Sequence, residues 1–451
     1  MLRPGRHPGL WQKSLGSPVL LFTLGDGPNL PVRRGRAFEA KVAAQILFTN
    51  ALLFDGVAAE PVDGASVLVE DGRIKEVSDG TIGADAAGVI DLGGRTLMPG
   101  LIDAHFHAIA VDVDIAKIGA MPRSLVYQHA RLILEGALQR GFTTVRDAGG
   151  GDYGLARATE TGLIRGPRVF FSGRALTQTG GHADFRDLEA DAFCLCCLRG
   201  TGFERIADGV TEVRRAARDE LRKGATQIKI MASGGVALPS DPIWNLQYSE
   251  EEIRAIVWEA TSWRTYVMAH AYTAEAIRRC VEFGVRSIEH ANLIDAETAA
   301  FCARQGAFVV PTLATYELLH RHGPDLGFPE VSLRKLEEVR SAGLRAVELL
   351  KAAGVRMGLG TDLLGALHRY QNREFTIRAE VLTPHEILVQ ATSNNARLLN
   401  REGELGVVKA GALADLIVVE GDPLREISVL DTEGDAIPLI MKGGQLYKNA
   451  L

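Results

Sequence analysis

Three features are scarce in this chain, and each scarcity argues against a class of protein. Five cysteines in 451 residues are too few, and odd in number, for a disulfide scaffold, so we expect a reducing, cytoplasmic compartment. No apolar run approaches the roughly 20 residues that span a bilayer, so we expect no membrane partner. Acidic residues outnumber basic ones and give a net charge of −6. This argues against nucleic acid as a partner, because such binding depends on lysine and arginine side chains that neutralise phosphates.

The first 43 residues differ from the rest of the chain in composition. They carry basic residues with little acid, several Gly and Pro, and one short apolar piece at residues 19–24. That piece is at the short end of a signal-peptide core of about 7 to 15 residues and has no clear cleavage site. We therefore predict a disordered extension over residues 1–43, with a weak targeting segment as the alternative.

Short apolar alternations joined by turns lie near both ends of the remaining chain. Asp71-Gly72 separates two of these segments, and this pair is typical of a hairpin turn. The C-terminal segment shows the same alternation of short apolar segments and turns. We predict that residues 44–97 and 402–451 pair into one small β-sandwich domain and leave residues 98–401 as a separate body.

The middle of the chain alternates short apolar segments with amphipathic stretches, one of which opens on a capping-box pattern at Ser249 and Glu252. Strands that alternate with helices pair in parallel. Eight such units over about 260 residues predict the α/β class and a (β/α)8 TIM barrel, with an open doubly wound sheet as the alternative. The predicted strands are residues 101–105, 143–146, 168–172, 227–231, 266–270, 287–289, 308–311 and 356–360.

Two histidines separated by one residue end the first predicted barrel strand. Residues i and i+2 of a strand point to the same side, so His105 and His107 can converge on one ion. The pair alone fits equally well with two solvent-exposed or core histidines. Functional residues of such barrels lie at the carboxyl ends of the strands, so the residues that end the other strands decide between a metal site and two ordinary histidines. Their polar residues are Lys229, His270, His290 and Asp362.

Lys229 lies between two isoleucines, where a bare ammonium would carry a heavy desolvation cost. One interpretation is an inward lysine paired with a carboxylate. The other is a neutral amine that carbon dioxide converts to a carbamate, which supplies two oxygens to two metal ions. Four histidines and one aspartate fall short of enclosing two ions, so a binuclear site would need such a bridging anion.

In this order, these residues resemble those of the amidohydrolase superfamily with a binuclear zinc centre. Within it, the chain looks most like the Xaa-Pro and Xaa-Arg/Lys dipeptidases, near ochratoxin-degrading amidohydrolases and imidazolonepropionase. The resemblance covers about residue 45 to the C-terminus. The strings that carry it are Met98-Pro-Gly-Leu-Ile-Asp, Arg146-Asp-Ala-Gly-Gly-Gly, Gly180-Gly-His-Ala-Asp-Phe, Gln227-Ile-Lys-Ile-Met-Ala-Ser-Gly-Gly, Ala269-His-Ala-Tyr, Ile288-Glu-His and Gly358-Leu-Gly-Thr-Asp.

The resemblance implies two divalent ions, Zn2+ by default, with manganese, cobalt or iron as alternatives. A carbamate on Lys229 and a hydroxide would bridge the ions, and the hydroxide would attack the scissile carbonyl. Asp362 would act as general base and then general acid, passing the proton to the leaving nitrogen. The ligands implied are His105, His107 and Asp362 for one ion, and His270 and His290 for the other.

The activity implied is hydrolysis of a peptide or amide bond in a small carboxylate-bearing substrate, a dipeptide or an N-acyl amino acid. The alternative is a cyclic amidohydrolase such as imidazolonepropionase, but many relatives of that type use one metal and no bridging lysine, so Lys229 favours the dipeptidase. A non-catalytic scaffold is the less favoured alternative, because such a protein would be expected to lose metal ligands and the full set is present here. We expect a homo-oligomer whose partner is the small-molecule substrate.

Two further residues are predicted to contact the substrate. His182 follows the third barrel strand and would contact the carbonyl or the carboxylate, and Tyr272 follows the fifth strand and would contact the carboxylate. For each, the alternative is a loop residue bonded to backbone. Arg146 and Asp147, at the second strand, are interpreted as a buried ion pair.

Overall fold

The computed structural model describes residues 45–83, 88–186 and 201–451, so the predicted extension over residues 1–43 lies outside the described residues. The strands are β1 (Gln45–Leu53), β2 (Val62–Glu70), β3 (Arg73–Ser78), β4 (Gly88–Asp91), β5 (Thr96–Pro99), β6 (Leu101–Phe106), β7 (Phe142–Asp147), β8 (Arg168–Phe171), β9 (Ala175–Thr177), β10 (Glu204–Ile206), β11 (Ile228–Met231), β12 (Val267–Thr273), β13 (Ser287–Leu293), β14 (Phe308–Val310), β15 (Arg356–Met357), β16 (Leu416–Val419), β17 (Leu439–Lys442) and β18 (Gln445–Asn449).

The helices are α1 (Ile115–Ile118), α2 (Arg123–Gln139), α3 (Tyr153–Glu160), α4 (Gly209–Arg222), α5 (Glu250–Ser262), α6 (Ala274–Glu282), α7 (Ala296–Gln305), α8 (Leu313–Leu326), α9 (Glu330–Ala352), α10 (Arg373–Arg378), α11 (Pro384–Val389) and α12 (Asn395–Leu398). Short 3-10 segments lie at Gly365–Tyr370 and Ile427–Leu430, and a π-helical turn lies at Gln390–Asn394. The predicted capping box at the start of α5 is confirmed, because Ser249 and Glu252 each accept a hydrogen bond from the other's backbone.

Strands from both ends of the chain form one sheet in the order β18-β17-β16-β5-β1-β2-β3, with β4 beside β1. The predicted hairpin is confirmed: β2 and β3 are antiparallel, and Asp71 and Gly72 both have positive φ, as a type I′ turn requires. The sheet has its own apolar cluster, which includes Phe48, Leu97 and Leu416. Within the described residues these strands form one sheet, so the sandwich of two facing sheets stays a prediction.

The middle of the chain forms two parallel sheets, β6-β7-β8 and β10-β9-β11-β12-β13-β14-β15. All eight predicted barrel strands are present, as β6, β7, β8 and β11 to β15, and the α/β class is confirmed. Backbone hydrogen bonds link the sheets at both edges, from Ala104 N–H to the carbonyl of Leu359 at 2.9 Å and from Asp362 N–H to that of His105 at 2.8 Å at one edge, and from Thr226 N–H to that of Phe171 at 2.8 Å at the other. The ladders do not join into one closed sheet across the described residues, so barrel closure stays a prediction.

Burial explains why the strands of the parallel sheets read as nearly continuous apolar runs. Every residue of β6 and of β7 is buried, as expected when helices cover one face of a parallel sheet and side chains fill the other. The chain passes from β5 to β6 through Gly100, where a Cβ would lie 2.2 Å from Oγ1 of Thr143. A larger residue there would push β6 away from β7.

None of the helices in the part of the chain that the structure describes combines the length and the apolar character that a membrane crossing requires.

Candidate metal centre

One pocket receives the carboxyl ends of several parallel strands. Strands β6, β11, β12 and β13 each place polar side chains in it, and the segment after β15 adds a carboxylate. All of the ligands predicted from the sequence line this pocket: His105, His107, Lys229, His270, His290 and Asp362.

The tightest group in the pocket consists of His105, His107 and Asp362, whose ligand atoms all lie within 4.8 Å of one another. Oδ1 of Asp362 is 3.1 Å from Nε2 of His107 and 3.4 Å from Nε2 of His105. Burial lowers the pKa of His105 well below its ordinary value and so favours the neutral imidazole, the form that binds metals. Burial alone would raise the pKa of Asp362, but its interactions with His105, His107 and Lys229 hold it below its ordinary value.

His270 and His290 form the second half of the cluster. Their ring centroids are 4.6 Å apart, and the ring of His290 is 4.7 Å from that of His105. Burial lowers the pKa of both well below the ordinary value. Nε2 of His270 donates to the carbonyl of Gly234 at 3.2 Å, which leaves its Nδ1 free of that proton and able to bind an ion.

Lys229 lies beside these histidines on β11, with 1% of its surface exposed. Burial lowers its pKa to about 8, against the attraction of the Glu289 and Asp362 carboxylates, and this increases the neutral amine fraction. In the described ranges no carboxylate forms an ion pair with this ammonium, since Glu289 is paired with Arg146. The interpretation of Lys229 as a simple structural ion pair is therefore not supported.

Two of the candidate ligands have unusual backbone conformations. His290 has a φ of 74° and Asp362 a φ of 54°, both in the left-handed region that side chains other than glycine rarely adopt. Such strain persists only where the surrounding structure enforces it, and it concentrates at functional sites. The strain therefore supports a functional role for these two positions.

The predicted ion pair between Arg146 and Asp147 is wrong. Nη2 of Arg146 lies 2.9 Å from both carboxylate oxygens of Glu289 on β13, and both side chains are fully buried. Adjacent residues of a strand point to opposite sides, so Asp147 faces away from its neighbour. Its carboxylate accepts backbone N–H bonds from Ala108, Gly149 and Gly151.

Glu289 is a functional residue that the sequence reasoning missed. Its Oε2 accepts a hydrogen bond from Nδ1 of His105 at 2.7 Å, so Nε2 of His105 is the nitrogen left for an ion. Its position immediately before His290 on a buried strand was a usable signal, because a buried carboxylate needs a partner.

His182 and Tyr272, the predicted substrate contacts, both line the pocket. The ring of His182 stacks on that of His270 at 4.4 Å, and its Nδ1 is 2.7 Å from a carboxylate oxygen of Asp241. The hydroxyl of Tyr272 accepts a hydrogen bond from that of Tyr316. Asp241 and Tyr316 were also missed, because a loop and a helix supply them and neither lies at a strand end.

The donor set fits a pair of divalent ions. Imidazole nitrogens and a carboxylate approach from several strands, and Lys229 lines the same pocket. The pocket is lined mainly by apolar side chains with a few convergent polar groups, as small-molecule sites are.

Comparisons with known proteins establish the family of the chain. Residues 96–446 match the amidohydrolase family. The ochratoxinase of Aspergillus niger is 35% identical over 366 residues, which cover 78% of this chain and 75% of that protein. A crystal structure of an amidohydrolase superposes with a TM-score of 0.88 and 51% identity, covering 90% of this chain and 100% of the other. A prolidase crystallised with N-methylphosphonate-L-proline superposes with a TM-score of 0.87 and 47% identity over the same shares. The resemblance drawn from the sequence is thereby confirmed, and the chain belongs to the amidohydrolase family.

Proposed function

We propose that this hydrolase cleaves a peptide or amide bond in a small carboxylate-bearing substrate, a dipeptide or an N-acyl amino acid. The observation that carries the proposal is the meeting of four histidines, Lys229 and Asp362 in one pocket. The similarity to a prolidase and to an ochratoxinase supports amide substrates, and the proline phosphonate held by the prolidase carries a carboxylate.

We propose that His105, His107 and Asp362 hold one divalent ion and that His270 and His290 hold the other. Zinc is the expected metal, and Lys229 is proposed to bridge the pair as a carbamate. When bound, such ions supply Lewis acidity and lower the pKa of a water molecule.

Asp362 is proposed to move the proton. Because its interactions with His105, His107 and Lys229 hold its pKa low, its carboxylate is available as a base at neutral pH. It accepts a proton from the attacking water and delivers it to the leaving nitrogen, a role that contributes roughly 10²- to 10⁴-fold to the rate in enzymes.

Tyr272 and His182 are proposed to hold the substrate. Burial raises the pKa of Tyr272, so its hydroxyl stays protonated and can donate to a carboxylate. His182 has its Nδ1 engaged by Asp241, which leaves Nε2 for the substrate carbonyl or carboxylate.

We further propose a closed (β/α)8 barrel, a β-sandwich from the two chain ends, a homo-oligomer and a cytoplasmic location. These follow from the sequence pattern and from the family.

The experiment is amino-acid release from a library of Xaa-Xaa dipeptides and N-acyl amino acids, with protein expressed in the presence of zinc and bicarbonate. Release of one class of C-terminal residue is expected. The matched variant is Asp362→Asn, which keeps the size and one oxygen donor but removes the base, and it should bind two metals and turn over at least roughly 100-fold more slowly. No release by a protein that contains two metals would contradict the proposal and favour cyclic amides as substrates.

A further inference from the structure

We infer that the substrate presents uncharged, apolar side chains on both sides of the scissile bond, and that side chains bearing a charge are rejected. This inference rests on the proposed function and narrows the substrate class of the same site. It follows from the pocket walls that surround the candidate metal centre.

The first apolar wall lies on the His107 side of the cluster. The ring of Phe203 contacts that of His107 at a centroid distance of 5.6 Å. Ala175 and Gly149 line the pocket beside it and leave space next to the ring. This wall can contact an apolar substituent over a flat aromatic face.

The second apolar wall lies on the His290 side. The ring of Tyr316 on α8 is 6.4 Å from that of His290, and Leu319, one turn later on the same helix, lines the pocket together with Phe328 from the segment after α8. The ring of His105 is 5.3 Å from that of His107 and 4.7 Å from that of His290, so it contacts both. One wall therefore adjoins the cluster at His107 and the other at His290.

The carboxylate among the described lining residues is already engaged. Among the lining residues that the structure describes, Asp362 is the only carboxylate, and it contacts His105 and His107. A lysine or arginine side chain of a substrate would therefore find no available carboxylate among the described residues that line the pocket. Losing hydration without gaining a partner makes burial of such a charge unfavourable.

The nearby charges just outside the lining offer no substitute. Asp241 bonds His182, and Asp184 is paired with Arg186. The ammonium of Lys335 donates to the backbone carbonyls of Gly235 and Leu238. A substrate side chain thus gains free energy in this pocket mainly through apolar contact.

The test compares substrates that differ in charge but hardly in shape. Norleucine and lysine have similar chains, as do methionine and glutamate. The varied residue is placed once at the C-terminus of an alanyl dipeptide and once at the N-terminus of a dipeptide. In both positions we expect kcat/KM for the charged member to be lower by roughly 100-fold or more, because an unpaired charge must be desolvated. Values within about threefold across these pairs would overturn the inference.

A matched pair of variants tests the mechanism of rejection. Leu319→Glu introduces a carboxylate into the second wall, and Leu319→Gln is its uncharged control of nearly equal size. Leu319→Glu should raise kcat/KM for the lysine substrate relative to the norleucine substrate by at least tenfold over the ratio for Leu319→Gln. Equal ratios in the two variants would show that charge at this wall does not select the substrate.

The outcomes separate this inference from the proposed function. Hydrolysis of both members of each pair at similar rates keeps the proposed function and overturns the inference. If no member is hydrolysed, the proposed function fails, and binding decides the inference. N-acetyl-norleucine should then raise the Tm of the metal-loaded protein while N-acetyl-lysine does not, and equal protection by both, or by neither, would overturn it.

Discussion

The hydroxyl of Tyr316 donates a hydrogen bond to the hydroxyl of Tyr272 at 3.0 Å, and both rings are buried beside the candidate metal centre. The contact extends a chain of hydroxyl groups, because Oγ1 of Thr312 lies 3.5 Å from the Tyr316 hydroxyl and 2.8 Å from Nδ1 of His290. Tyr316 therefore fixes the direction in which the Tyr272 hydroxyl can donate its own proton. If Tyr272 holds the substrate as proposed, Tyr316 acts through it and is a positioning residue.

The variant Tyr316→Phe should raise KM for a carboxylate-bearing substrate by about two- to tenfold, the effect of one lost hydrogen bond, with kcat and metal content nearly unchanged. The measurement is initial rates with a substrate and with its C-terminal amide, for which the variant should make little difference. Tyr447→Phe, on β18 and outside the pocket, is the control. A fall in kcat at constant KM would contradict the positioning role.

Glu289 neutralises Arg146 and orients His105 at the same time. The variant Glu289→Gln should cost about 3–5 kcal/mol of unfolding free energy, because it leaves the buried guanidinium without its carboxylate. It should also weaken metal binding roughly 10- to 100-fold, as is usual for a residue that orients a ligand. Urea unfolding of the metal-free protein and metal titration measure the two effects separately.

Glu348→Gln is the matched control for Glu289→Gln, since Glu348 and its partner Arg345 are both exposed. Its cost should stay below about 1 kcal/mol. Similar losses of stability in the two variants would show that burial of the pair does not matter.

The strand positions and their polar ends could be predicted from the sequence because both follow local rules. Apolar runs of a few residues between amphipathic stretches mark β6 to β8 and β11 to β15, and the parallel arrangement brings their carboxyl ends to one side. His105 and His107 follow from the two-residue period of a strand. Here each inference needed only the residues near each strand and one rule about sheets.

Contacts between distant segments could not be predicted in this way. Arg146 is adjacent to Asp147 in sequence but pairs with Glu289, more than a hundred residues away, because the neighbours point to opposite sides of β7. Tyr316 reaches the site from α8 and Asp241 from a loop, and the sequence does not fix where either segment lies. Closure of the barrel depends in the same way on the two edges, where a few backbone hydrogen bonds outside the strand ladders link the sheets.

Lys229 is predicted to determine the metal content. Lys229→Met keeps the length of the side chain but cannot form a carbamate, so we expect at most one metal per chain and loss of activity. Metal analysis after dialysis measures the first effect. A chelator should also lower the Tm of the wild-type protein more than that of the variant, because bound metal stabilises the folded state.

Lys335→Met is the control for Lys229→Met, because Lys335 bonds backbone carbonyls outside the ligand set. It should retain both metals. Unchanged metal content and activity in Lys229→Met would contradict the binuclear arrangement.

Lys442 on β17 gives a prediction about pH that does not involve the metal centre. Its ammonium lies 4.8 Å from the centroid of the Tyr447 ring and donates to the carbonyl of Gly166, and burial lowers its pKa to about 8 from an ordinary 10.5. Between these two values the unfolded chain binds more protons at this site than the folded chain, so the contribution of Lys442 to stability increases as pH rises. Lys442→Met lacks the titrating group. The Tm of the wild-type protein should therefore rise relative to that of the variant between pH 8 and 10, and parallel Tm curves over this range would contradict the depressed pKa.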